Sequence, residues 1–134
     1  MTSRPHAIDL VTLPFPGFPT DLQHPMMVLL AQAQGSSLLT ENVFEARFVF
    51  VDELARMGSS IKVEGHHAVI RGIERLSGAP VEAPDIRAGA ALVLAGMCAQ
   101  GRTDVLDKGH IRRGYEDFDH KLRLLGADLD VSTV

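Results

Sequence analysis

The sequence predicts an α/β (α+β) fold made of two tandem β-α-β-α-β-β units, over residues 7–75 and residues 76–134. Three observations carry that prediction. The order of motifs is written twice, apolar residues recur at helical spacing, and shorter stretches alternate as strands do. The first copy runs Pro19-Thr20-Asp21-Leu22, an apolar stretch to Ala33, Gly35, a β-like stretch, a helix to Met57-Gly58, and Ile61-Lys62-Val63. The second runs Ala83-Pro84-Asp85-Ile86, an apolar stretch to Ala99, Gly101, a β-like stretch, a helix to Leu125-Gly126, and Leu129-Asp130-Val131. Asp21 and Asp85 lie 64 positions apart, Gly35 and Gly101 66, and Gly58 and Gly126 68, as do Val63 and Val131. Preserved order with drifting spacing marks a duplicated unit with small insertions in the second copy.

Each element has a local reason. Thr20 with Gln23 has the side-chain types of a capping box. Pro25 falls near the first turn, where a missing N–H costs least. Met26, Leu29, Leu30 and Ala33 then form a buried stripe, and Gly35 suits the left-handed position that ends a helix. Ser36–Thr40 reads as a strand. Val51–Met57 returns to helical spacing and Gly58 stops it. Ile61–Glu64 and Ala68–Arg71 alternate around Gly65-His66-His67, a hairpin. In the second copy Asp85 can cap a helix whose Ala88, Gly89, Ala90, Ala91, Ala95 and Gly96 are small enough for close packing on all sides, so full burial is expected. Tyr115–Leu125 reads as a half-exposed helix with Phe118, Leu122 and Leu125 inward.

Composition excludes several classes. The chain has 134 residues, 46% hydrophobic and 22% charged, with net charge −4, which suits one globular domain or part of a larger one rather than a disordered chain. No basic run exceeds Arg112–Arg113, so no nucleic-acid partner is expected. Uncharged stretches such as Ala88–Gly101 fall short of the roughly 20 residues of a membrane span. The opening Met1-Thr2-Ser3-Arg4-Pro5 has no apolar signal region, so a cytoplasmic location is expected. The single Cys98 excludes an internal disulfide and a cysteine zinc site, and reads as an inert core residue. The six histidines show no metal spacing and read as surface or loop residues; neither metal nor cofactor is expected.

Four positions could carry chemistry. Asp21 follows the stiff loop Pro14-Phe15-Pro16-Gly17-Phe18-Pro19. It is either a carboxylate stabilised by a helix N-terminus or a base at a helix mouth. Arg87 lies in a first helical turn, where the helix dipole opposes a cation. It either serves an anion or pairs with Asp85. Arg112-Arg113-Gly114 is either an anion site at a helix start or a solvated basic turn.

These residues lie within longer strings. Phe15-Pro-Gly-Phe-Pro-Thr-Asp21, Thr40-Glu-Asn-Val-Phe-Glu45 with Arg47-Phe48, and Glu53-Leu54 through Met57-Gly58 recur in one family. So do Leu76-Ser-Gly-Ala-Pro80, Asp85-Ile-Arg87 with Leu92–Gly96, Arg113-Gly-Tyr-Glu116, and Leu125-Gly-Ala127. In order and spacing they resemble the UDP-N-acetylglucosamine 1-carboxyvinyltransferases, the enolpyruvyl transferases of peptidoglycan synthesis. The resemblance implies an inside-out barrel of such units, helices inside and sheets outside, with this chain equivalent to the last two units. It implies transfer of enolpyruvyl from phosphoenolpyruvate to the 3-hydroxyl of UDP-N-acetylglucosamine. Asp21 would contact and deprotonate that hydroxyl, Val43 would make a backbone contact to the UDP-sugar, and Arg87 and Arg113 would engage phosphoenolpyruvate with Asp85 nearby. The family's N-terminal lysine and loop cysteine have no counterpart here, and Arg112 stands where the family usually has an aspartate. Inactivity without an N-terminal part is therefore expected, that part or a second copy being the implied protein partner. The alternative is a stand-alone binding or self-associating module.

Overall fold

The computed structural model describes residues 4–14, 16–19, 22–42, 49–108, 111, 115, 117–129 and 131. Its elements in order are β1 (Leu10–Val11), α1 (Gln23–Ala31), β2 (Ser36–Thr40), α2 (Val49–Arg56), β3 (Ser60–Glu64), β4 (His67–Arg71), β5 (Pro80–Glu82), α3 (Ile86–Cys98), β6 (Asp104–Leu106) and α4 (Phe118–Leu124).

Two sheets result. The first has the order β1-β2-β4-β3; β1 runs parallel to β2, while β4 is antiparallel to β2 and β3. Alternation sets its inner face. Ser37, Leu39, Ala68 and Ile70 point inward, and Leu38 and Val69 point out. The register puts Leu39 opposite Ala68 and Ser37 opposite Ile70 on that face. The β3–β4 hairpin turns on Gly65-His66 alone, with Gly65 at φ 57° and His67 already paired to Glu64. The second sheet is the parallel pair β5–β6.

Helices α1, α2 and α3 lie between the sheets. α1 packs on β2, β4 and α3; α2 packs on β3, β5 and α3; α3 packs on β6. One continuous core joins Met27, Leu30, Leu39, Phe50, Leu54, Met57, Ile70, Leu76 and Leu92. The expected arrangement of helices inside and sheets outside is therefore present.

Close backbone contacts lock the layers. A Cβ on Gly72 would stand 1.7 Å from the Ala33 carbonyl oxygen, so only glycine lets β4's exit cross the end of α1. There Gly72 and Ile73 donate to the carbonyls of Gly35 and Ala31 at 2.9 Å each. The proline-rich loop is tight as expected: Gly17 N–H donates to Pro14 at 2.9 Å, and Leu13 N–H to Phe18 at 3.1 Å.

Several expectations need correction. α1 buries Gln23, Met27, Val28, Leu30 and Ala31, while Met26 and Leu29 are only partly buried. A helix clasped between a sheet and α3 has two buried sides and no single stripe to read. Leu22 is its N-cap and makes no side-chain cap bond; Thr20 lies outside the described residues. α3 is buried from Ala88 to Leu92 and at Ala95, but Met97 and Cys98 are exposed, because they stand on the solvent side of a last turn that packs through Ala95 and Gly96. α4 starts at Phe118 because Asp117 adopts φ 47°, outside the helical region. Leu122 is buried on it, whereas Leu125, at its C-cap, is 84% exposed. Leu129 and Val131 are not in a strand, and Asp130 lies outside the described residues.

Candidate functional site

The site is built where α1 and α3 begin. α3 opens after β5, whose exit is fixed by the Ala83 N–H donating to Leu106 at 2.8 Å. Asp85 is extended at the N-cap, and its carboxylate accepts the Ala88 N–H at 2.8 Å. The sequence expectation for that cap is met. Arg87 follows two residues later in the first turn, with no acidic residue in that turn, and is exposed. Its cation opposes the helix dipole, so an anion there gains from both the guanidinium and the helix N-terminus.

Gly89 sets how close the next segment comes. A Cβ there would lie 2.9 Å from the Ala83 Cβ and 3.3 Å from Cγ1 of Ile111. Ile111 is thus seated against α3, and its N–H donates to the Asp107 carboxylate at 3.2 Å. Arg112 and Arg113 follow directly in sequence but lie outside the described residues, as do Asp21 and Val43. Of the five site residues expected, the described structure brings together Asp85 and Arg87.

Two further polar residues, His24 and Glu41, are drawn out of solvent. His24, in the first turn of α1, was expected at the surface and is instead half-buried. Its ring packs edge-on against Phe50, centroids 4.9 Å apart at 61°. Its Nδ1 is sealed from solvent with no hydrogen-bond partner among the described residues. Burial lowers the pKa of His24 below the ordinary imidazole value, Asp85 and Glu41 oppose that shift, and Arg87 adds to it. Glu41, just past β2, is 3% exposed. It accepts a short hydrogen bond from the Thr12 hydroxyl, and its own N–H donates to His66 at 2.9 Å. Thr12 Oγ1 in turn accepts the Asn42 N–H at 2.9 Å, which fixes the strand end before Val43. One signal for His24 was present in the sequence: it stands three positions after Asp21, at the start of the helix paired with Asp85's helix.

The opposite end of α1 and α3 is a separate cleft of about 650 Å³ lined by Arg4, Glu74, Arg75 and Gln100. There the Arg4 guanidinium is committed to the carbonyls of Gln32, Ala33 and Ile73 at 3.0–3.2 Å. Among the described residues no cluster of three His, Cys, Asp or Glu side chains could hold a metal, and no helix is long and apolar enough to cross a membrane.

Comparison with known proteins places this arrangement. The family model described as EPSP synthase (3-phosphoshikimate 1-carboxyvinyltransferase) matches residues 1–122. The chain belongs to the EPSP synthase family. Within it, the chain is 57% identical over 127 residues to the UDP-N-acetylglucosamine 1-carboxyvinyltransferase of Corynebacterium jeikeium, covering 95% of this chain and 30% of that protein. It is 58% identical over 128 residues to the enzyme of the same name from Mycolicibacterium paratuberculosis, again over 95% and 30%. The chain thus spans about 30% of the length of these relatives. Among solved structures, the enolpyruvyl transferase NikO from Streptomyces tendae superposes with a TM-score of 0.83 at 32% identity, over 94% of this chain and 29% of that one. EPSP synthase from Acinetobacter baumannii, at 20% identity and a TM-score of 0.67 over 84% of this chain and 27% of its own, shares the fold. Cys98, expected as an inert core residue, is instead exposed at the end of α3.

Proposed function

We propose that this chain is the C-terminal part of an enolpyruvyl transferase that moves enolpyruvyl from phosphoenolpyruvate to the 3-hydroxyl of UDP-N-acetylglucosamine, releasing phosphate for peptidoglycan precursor synthesis. The observation that carries the reading is the 57% identity, over nearly the whole chain, to a UDP-N-acetylglucosamine 1-carboxyvinyltransferase. Asp85 and Arg87 at the opening of α3 support it, because the reaction must gather an anion beside an anion.

In this reading Arg87 and Arg113 hold phosphoenolpyruvate, with Asp85 fixing the first turn beside them. Val43 contacts the UDP-sugar through its backbone. Asp21 takes the proton of the 3-hydroxyl as its oxygen bonds to C2 of the enolpyruvyl group, and a proton adds to C3. The C2–O bond to phosphate then breaks, C3 loses a proton, and the enolpyruvyl ether and inorganic phosphate result. Alone the chain supplies one side of such a site and has no counterpart of the family's lysine. The purified chain is therefore expected to release no phosphate from the two substrates. Adding the remaining N-terminal part of the Corynebacterium jeikeium relative is expected to restore release. Steady release by the chain alone, or none after complementation by a folded partner, contradicts the reading.

A second reading is favoured by a specific observation: Leu106, Leu124 and Leu125 are 58%, 73% and 84% exposed. Exposed leucines on this scale suit a self-associating module. A monomer at high concentration in sedimentation experiments would remove that reading.

A further inference from the structure

We propose that His24 is a further positioning residue of this site: its imidazole, in the first turn of the helix that packs on α3 and with one edge against Phe50 of α2, couples anion binding at Arg87 to uptake of one proton from solvent. The inference rests on the reading of Arg87 as an anion anchor.

Geometry comes first. Phe50 is 1% exposed, so the core fixes one edge of the imidazole ring. The sealed Nδ1 has no partner among the described residues, a state that native structures seldom leave without a use. Three charged groups act on the ring from the packed elements: Glu41 past β2, and Asp85 and Arg87 at the start of α3. α2 contributes Phe50, which has no charge, and Asp21 precedes His24 by three positions in the sequence.

The sign of the coupling follows. Burial and Arg87 favour the neutral ring, and Asp85 and Glu41 favour the imidazolium. An anion on Arg87 offsets the guanidinium and adds negative charge beside the ring. Both changes raise the proton affinity of His24. By linkage the same anion binds more tightly when His24 is protonated.

Sulfate is the probe, because it stays a dianion across the range where imidazole titrates. The His24 side chain is titrated by NMR in the full chain, with sulfate or with sodium chloride at matched ionic strength. The midpoint is expected below the ordinary imidazole value, higher in Arg87→Gln and lower still in Asp85→Asn. Saturating sulfate is expected to raise it by about one pH unit, which makes sulfate bind about tenfold more tightly at low pH than at high pH. That pH dependence should vanish in His24→Gln, or in His24→Asn if the glutamine variant does not fold. A midpoint indifferent to Arg87→Gln or to sulfate overturns the proposal, as does a pH dependence retained in the His24 variants. None of these readouts needs turnover. Intact coupling with no enolpyruvyl transfer after complementation by the N-terminal part of the Corynebacterium jeikeium relative overturns the proposed function alone, and transfer in that complemented protein without coupling overturns the role of His24 alone.

Discussion

The chain before residue 76 and the chain after it reuse the same backbone landmarks but bury their apolar residues unequally. Gly35 and Gly101 have φ 100° and 90°, and Gly58 and Gly126 have φ 89° and 99°. The ends of α2 and α4 even repeat one hydrogen-bond pattern. Gly58 donates to Ala55 and Ser59 to Leu54, as Gly126 donates to Arg123 and Ala127 to Leu122. Yet β2 is paired on both edges, whereas β6 pairs with β5 alone among the described residues. Leu106, Leu124 and Leu125 of the later half are correspondingly exposed, while Leu92, packed on the first half's core, is buried. Local sequence sets where helices stop; what packs against them sets which leucines are buried.

The sharpest way to break the comparison is at its glycines. Gly72→Ala drives a Cβ into the Ala33 carbonyl and is expected to cost about 3 kcal/mol or more, read as a lower urea midpoint. Gly101→Ala meets nothing within 4 Å and strains only the backbone, so about 1–2 kcal/mol is expected. Equal losses would mean that close approach does not govern the first half.

Leucines test the burial difference next. Leu54→Ala, at a fully buried core position, should cost about 2–5 kcal/mol. Leu125→Ala should stay within about 0.5 kcal/mol in a monomeric chain. A large loss for Leu125→Ala would reveal a covered face in solution.

Helix starts give a smaller effect. Asp85→Ala removes the α3 cap and should cost about 1 kcal/mol in thermal unfolding. Leu22→Ala should cost less than that through capping, since Leu22 makes no cap bond at α1.

The smallest effect is pH-dependent. The pKa of His24 is lowered in the fold, so above the ordinary imidazole value neither state binds the proton. As pH falls through that value towards the lowered one, the unfolded chain takes up a proton that the fold refuses, and stability is lost. His24→Gln should flatten that slope in urea midpoints measured across the window. An unchanged slope would assign it to other groups.

Most of the fold was legible because it is written in short-range patterns. Ser36–Thr40 forms the short strand expected there, Gly58 stops a helix as expected, and Asp85 caps α3. Burial was legible only where an element has one buried side. α1 has two, so its stripe misled, and the inward turn expected for Leu125 ignored that it stands at the helix end. Of the candidate site, the Asp85 cap and the first-turn place of Arg87 were legible from the start signal at Pro84-Asp85. His24 and Glu41 were not, because their place comes from packing α1 on α3 and from the Thr12 contact across β1 and β2, which no local pattern records.

The most direct measurement is a graft. The matching segment of the Corynebacterium jeikeium relative is replaced by this chain, and phosphate release from phosphoenolpyruvate and UDP-N-acetylglucosamine is followed. Release with formation of the enolpyruvyl ether, lost in Arg87→Ala and kept in Cys98→Ser, is the expected result. A folded graft that releases no phosphate, or one indifferent to Arg87→Ala, would contradict the assignment of the α3 N-terminus to enolpyruvyl transfer.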